Sequence, residues 1–512
     1  MPLLSPELQT RRAFLRRSGQ LALTGTALPF ALNLAAIGEA AAFNAPAGDY
    51  KALVCVFLFG GNDYANTVMA YDDPSYNLYN TIRGGGAGQT AGGIALAKAA
   101  LTPTRLTPLA PPVDALGAMN REFAFHPAMT GLAGLFNSGK AAVQLNVGPL
   151  VVPLTRDQYN SSNRTLYPRP PQLFSHNDQQ SLWQSSSPEG STVGWGGNMG
   201  DLVLQDNLNS NSLFTCMSVS GNAVFLSGDT ALQYQVSTSG AIKIRPATDN
   251  TVYGSSMVRS TIDTLLRQGR THVLENEYKI VTGRALAAEA SVTSALALSP
   301  SIYGTSPNQR PFNSAQFGTD GLATQLQMVA RLIKGRSVLG ARRQVFFVSM
   351  GGFDLHDNLV AQQTTLMSRL SSAMTAFYQA TDEMGVANQV TAFTASDFGR
   401  TLASNGDGSD HGWGSHHMVM GGAVNGQRFY GVAPPISVSD TRDGGGNYLP
   451  ENAWHVGQGR LLPRTSTDQY AATLAKWFGV TDGEMSGVLP KIGNFGTAAG
   501  RPDYPTDLGF MQ

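Results

Sequence analysis

The sequence is short of charge, cysteine and histidine, and each shortage excludes something. Charged side chains make up 14% of the 512 residues, and 35 basic residues balance 35 acidic ones. A neutral chain without a long basic tract lacks the electrostatic footprint for nucleic acid or an anionic membrane surface. Hydrophobic residues reach 42%, which excludes a disordered or fibrous chain and fits a large buried core. The two cysteines lie far apart, with no CxxC and no thiolate cluster. Cys55, inside an apolar run, reads as a small buried hydrophobe; Cys216 leaves a disulfide open if the chain is exported. No internal repeat is visible. Beyond the N-terminus no apolar run reaches about eighteen residues, so no membrane span is expected in the mature chain.

Two things are present in quantity or concentration. Glycine, at 57 residues, favours ordered, loop-rich connections over a helical bundle. Three of the eight histidines fall within "GSDHGWGSHHMVMGG", Gly408 to Gly422. That block is too rich in glycine for a stable helix, and it reads as a loop carrying His411, His416 and His417 beside Asp410.

At the N-terminus, "TRRAFLRRSGQLALTGTALPFALNLAAIGEAAAF" pairs Arg11 with Arg12, continues through a mildly apolar stretch and ends on Ala40-Ala41-Ala42. Its moderate hydrophobicity resembles a twin-arginine export signal over residues 1–42, with Thr10 opening the pattern and Arg16 where lysine is usual. Such a signal implies the twin-arginine translocase as a partner, export of a folded chain and a periplasmic or extracellular location. Residues 43–512 then form the mature protein.

Within it, "ALVCVFLFGGNDYANTV" opens with a continuous apolar run, Ala52 to Phe59, that reads as a strand buried on both faces. Asp63 follows its Gly60-Gly61 turn. The same order returns in "RQVFFVSMGGFDLHDN", with Asp354 and His356, and in "QVTAFTASDFGR", with Asp397 and Arg400. A fourth run, Ala141 to Leu150, has no carboxylate. Helix-period segments lie between: Asp320 is placed to cap one, Ala361 to Gly385 spans another, and "SMVRSTIDTLLRQGRTHVLENEYKIVTGRALAAEASV" makes one or two. This alternation predicts an α/β fold, a mostly parallel central sheet with helices on both faces. Ligands bind at the carboxyl ends of such strands. Asp63, Asp354 with His356, and Asp397 are therefore expected on one rim. Carboxylates and imidazoles converging there call for a divalent cation: Zn, Mn, Mg or Ca, with the histidines favouring transition metals.

The blocks "FLFGGNDYANTVMAYDD", "FSHNDQQSLWQ", "GGFDLHDN", "SDFGRTLASNGDGSDHGWGSHHMVMGGAVNGQRFYG" and "RLLPRTSTDQYAATLAKWFGV" resemble, in order, those of the DUF1501 family. These are exported bacterial proteins of unknown function, placed among alkaline-phosphatase-like folds. The resemblance runs from about Lys51 to Val480. One departure is Asp397, where the family usually carries Glu. The superfamily likeness implies a two-metal hydrolase of phosphate or sulfate esters, its ion pair clamping the attacking and leaving oxygens. It implies Asp63, Asp354, His356 and Asp397 as ligands, with His411 and His416 reaching in from the loop and His417 packing away. Asp410-His411 matches the superfamily's Asp-His dipeptide by spelling, Asp397 by strand position, with Phe398 where histidine belongs. For the nucleophile, Thr67 and Ser175 are both open, and His176 and Asp178 add ligands or bases beside Ser175. Arg400 is placed to neutralise an oxyanion or to pin the loop.

Residues from about 154 to 315 form a possible cap insertion. The alternative function is a non-catalytic exported binding or assembly protein on the same fold, acting with a partner such as a DUF1800 protein. A third is lyase or isomerase chemistry, since superfamily members also run phosphomutase reactions.

Overall fold

The computed structural model describes residues 49–84, 93–117, 120–299 and 316–512. Segment 1–42, read above as an export signal, lies outside the described residues, as does the end of the expected insertion.

The framework is a ten-stranded mixed sheet. Its strands are β1 (Lys51–Leu58), β2 (Ala141–Gly148), β3 (Cys216–Ser218), β4 (Gln233–Ser237), β5 (Gly240–Ala241), β6 (Arg343–Met350), β7 (Val390–Ser396), β8 (Ser415–Gly421), β9 (Phe429–Tyr430) and β10 (Thr465–Ser466). They run in the order β9-β2-β8-β7-β1-β6-β3-β4-β5, with β10 also on β2. Most neighbours are parallel; β8 runs antiparallel to both β7 and β2, and β5 to β4. The α/β class with a mostly parallel sheet agrees with the sequence reading.

Helices cover both faces. Those that matter below are α1 (Asp73–Arg83), α2 (His176–Ser185), α3 (Trp195–Gln205), α4 (Ser256–Arg267), α5 (Val273–Leu296), α6 (Gly321–Lys334), α7 (Leu359–Glu383) and α8 (Thr467–Phe478). Strand β1 shows why its run is continuously apolar. Ala52, Val54, Val56 and Leu58 join the core under α6 and α7, while Leu53, Cys55 and Phe57 join the core under α3 and α8. A strand with both faces buried has no polar side to display. Cys55 and Cys216 are both buried and free. Asp320 caps α6, accepting from the Leu322 and Ala323 amides. Residues 216–241 lie inside the stretch read as an insertion and supply one edge of the main sheet.

The histidine-rich block is only half a loop. Residues 408–414 are irregular, but Ser415–Gly421 is an interior strand, buried at every position. The loop expectation fails there because two neutral imidazoles sit among Met418, Val419 and Met420 as core side chains. Polar spelling hid a buried strand.

Strand register then levels the rim. Leu58 pairs with Met350 on one side and Ser396 on the other, so the segments following β1, β6 and β7 leave the sheet side by side. Gly60 and Gly61 let them approach: both have positive φ, and a Cβ on Gly60 would fall 2.4 Å from the Asp354 amide nitrogen. Among the described residues no helix is long and apolar enough to cross a membrane.

Candidate metal centre

Four segments converge on that rim. Asp354 and Asp397 follow β6 and β7, His411 sits in the loop before β8, and His176 is the first residue of α2. One ligand atom each from His176, Asp354 and His411 lie within 4.8 Å of one another, a group that can hold a metal ion. His356 stands beside it, its Nε2 3.0 Å from Asp354 Oδ1 and 3.1 Å from His411 Nε2.

The surroundings fix the imidazoles. His411 Nδ1 donates to the Phe174 carbonyl at 2.8 Å, and His176 Nδ1 donates to Asp397 Oδ2 at 2.7 Å. A carbonyl and a carboxylate accept only, so each ring carries a hydrogen on Nδ1 and turns its Nε2 inward, free to take a proton or a metal ion. His411 Nε2 lies 3.2 Å from Asp354 Oδ1, and His176 Nε2 lies 3.4 Å from Asp354 Oδ2. A proton on His356 relieves the first approach, and one on His176 Nε2, which the carboxylates of Asp397 and Asp354 favour, relieves the second. A cation satisfies both. Two histidines oriented by outer acceptors, with one carboxylate, is a donor set of the kind that binds divalent transition metals with positions left open.

Asp397 is itself fully buried. Its Oδ2 accepts from His176, from Gln180 Nε2 at 2.9 Å and from the Gly60 amide at 3.2 Å. Its Oδ1 has no hydrogen-bond partner among the described residues. Phe174, which supplies the other outer acceptor, has φ +75°, a conformation non-glycine residues rarely hold. Asp354 is poised as an anion: burial works to raise its pKa, but the Arg400 hydrogen bond and charge, with His356 and His176, hold it below the ordinary carboxylate value. The Asp397 hydrogen bond raises His176, whereas burial lowers His411. A proton and a metal ion thus compete for His176 Nε2.

Residues 50–445 match the family model DUF1501, a protein of unknown function. The chain belongs to the DUF1501 family. No curated protein matches it. In this DUF1501 protein the whole cluster falls inside the matched span, while β10 and α8 lie beyond it.

The residues singled out from the DUF1501 blocks separate into three groups. Asp354, His411, His356 and Asp397 come together, with Asp397 holding His176. Asp410 stands at the margin, its Oδ1 3.4 Å from His356 Nδ1 and accepting from Asn405. Arg400 is fully buried and bonds Asp354 at 2.5 Å, the Gly60 carbonyl and Ser409, so its role here is to pin the rim.

Asp63, Thr67 and His416 lie apart from the cluster. Asp63 is buried against the equally buried Arg83 of α1, accepts from Ser409 and caps the turn at Asn66. Burial works to raise its pKa, but Arg83 holds it low. A carboxylate so committed has little left for an ion, which differs from its expected part as first ligand. Thr67 is buried and donates to the Asp63 carbonyl. His416 is on β8, where its Nδ1 accepts from the Asn146 amide, and burial lowers its pKa to about 3. His417 is lowered to about 3 by the same cause and packs on Trp183, in keeping with its packing role. Ser175 immediately precedes α2, where its hydroxyl donates to Asp178 at 2.9 Å and does not cap the helix amides.

His176 is the residue that the sequence under-weighted. Its signal was its place at the start of a helix, directly after Ser175, which aims its side chain at the rim. Arg83 gave no signal at all.

Proposed function

We propose that this exported chain binds one divalent transition-metal ion, Zn or Mn, through His176, Asp354 and His411 and hydrolyses phosphate or sulfate esters there. The observation that carries the reading is the pair of imidazole Nε2 atoms that outer acceptors at Nδ1 turn onto one carboxylate. When bound, such an ion supplies Lewis acidity and a lowered pKa for water at its open positions. The protein's own part is orientation: Asp397 fixes His176, the Phe174 carbonyl fixes His411, and Arg400 keeps Asp354 ionised. His356, 46% exposed and beside Asp410, is positioned to take a proton from an entering water. The commitment of Asp63 to Arg83 favours one ion over two. With Thr67 buried and Ser175 bonded to a carboxylate that belongs to no base relay, water serves as the nucleophile.

A non-catalytic binding or assembly role, with a DUF1800 protein as companion, has one observation in its favour. Arg400, the cation nearest the cluster, is wholly buried and turned to Asp354, so it offers no charge to an ester anion. Metal analysis with turnover of aryl phosphate and aryl sulfate esters separates the two. About one equivalent of metal with turnover supports hydrolysis; metal without turnover of either ester supports assembly; absence of metal overturns the site.

A further inference from the structure

Arg460 stands beside the metal centre with only half of its guanidinium engaged. Its Nε donates to the His411 carbonyl at 2.7 Å, and the guanidinium carbon lies 5.3 Å from the centre of the Phe174 ring. Phe174 also supplies the carbonyl that orients His411, so the arginine touches both partners of that bond. The two terminal nitrogens of Arg460 take no hydrogen bond among the described residues, and no carboxylate there pairs with them. Burial disfavours the charge, and Asp410 and Tyr159 favour it only from beyond ion-pair distance. By contrast Arg156, which reaches His455, is paired with Asp440. Arg169, stacked at 4.7 Å on Tyr159, likewise has no hydrogen bond or ion pair among the described residues and shares Tyr159 as a neighbour with Arg460.

The turn that presents Arg460 is strained. Gly457, Gln458 and Gly459 have positive φ of 97°, 52° and 69°. Glutamine rarely holds that conformation, and a Cβ on Gly459 would fall 2.4 Å from the Leu402 Cβ. The Gln458 carbonyl accepts from the Ala403 amide and the Gly459 carbonyl from the Tyr64 hydroxyl, which ties the turn to the segments after β7 and β1. Across the ring stack, Gln172 and Phe174 are left-handed as well. Strain of this kind persists only where the surroundings over-determine it, and it gathers at ligand clamps.

His411 sets the spacing. Its Nε2 faces Asp354, whereas its main-chain carbonyl takes Arg460. The guanidinium is thus a residue's length from the ion position, which suits a second anionic group better than the reacting one. We propose, resting on the ester-hydrolysis reading above, that Arg460 determines specificity by holding a second phosphate, sulfate or carboxylate group of the substrate, with Arg169 adding charge beyond it. The substrate class is then a doubly anionic ester. A guanidinium offers such oxyanions paired N–H donors in one plane.

The test is calorimetric binding of hexane bisphosphonate and hexylphosphonate, which have no ester to cleave, to the full chain, with metal content measured on each sample. The parent should prefer the bisphosphonate by about tenfold or more. Arg460→Gln should abolish the preference, Arg460→Lys should keep part of it, and Arg169→Gln should reduce it less with metal unchanged. Bound metal without a preference overturns the proposal and spares the metal centre. So does a preference that Arg460→Gln leaves intact, or an equal weakening of both ligands, which would mean that Arg460 only positions His411. Absence of metal in the parent overturns the centre and this inference with it. A preference lost in Arg460→Gln, with no turnover of aryl esters, supports the anion site and overturns hydrolysis.

Discussion

His411 and the pair His416–His417 come from one short block, yet burial separates their chemistry. His411 is held by the Phe174 carbonyl at a half-open rim and points its Nε2 at Asp354. His416 and His417 stand in an interior strand with 3% and 0% exposure, one accepting from the Asn146 amide, the other wedged against Trp183 and Tyr470. The same side chain is available to a metal ion where acceptors and solvent meet, and is a core residue where neither a charge nor a cation can follow it. The carboxylates divide in the same way: Asp354 faces the cluster, whereas Asp63 is closed off by Arg83.

The largest effect should come from breaking the closed side. Asp63→Ala leaves Arg83 buried and unpaired, and should destabilise the fold by about 3–5 kcal/mol in denaturant titration. Bound metal, measured on whatever folds, should be unchanged.

Next are the core histidines. His416→Ala and His417→Ala should each cost about 1–3 kcal/mol, from lost packing and lost hydrogen bonds, again with metal retained. Their pKa values of about 3 fix a pH dependence. The unfolded chain protonates these rings first, near their ordinary value of 6.5. Stability is therefore full above that pH and falls progressively as pH drops toward 3. His417→Gln should flatten this slope; an unchanged slope would mean the rings are not buried neutral.

On the open side the effects are smaller in stability and larger in binding. Asp397→Asn removes the carboxylate that orients His176 and should weaken metal affinity about 10–100-fold, read by competition with a chelator. His356→Ala should change affinity less than that while lowering ester turnover, which separates a proton-handling neighbour from a ligand.

Much of this frame was legible in the sequence. The apolar runs before Asp354 and Asp397 marked strands whose ends meet, because a strand buried on both faces must be apolar throughout. What stayed hidden depended on partners distant in the chain. Nothing in "GGNDYAN" shows that Asp63 will be met by Arg83 from α1, and nothing in "SHHMVMG" shows that β7 and β2 will close over two imidazoles. The short strands at this side of the sheet owe their pairing to neighbours distant in the chain, 216–218 to β6 and 233–237 in turn to β3, not to any periodicity of their own.

The central claim is that His411, and not His416, belongs to a metal centre with His176 and Asp354. The direct measurement is metal content by mass spectrometry of the purified full-length protein, alongside His411→Ala and His416→Ala. The account predicts about one equivalent in the parent and in His416→Ala, and near none in His411→Ala. Metal retained in His411→Ala, or lost in His416→Ala while His411 is intact and the fold preserved, would contradict it.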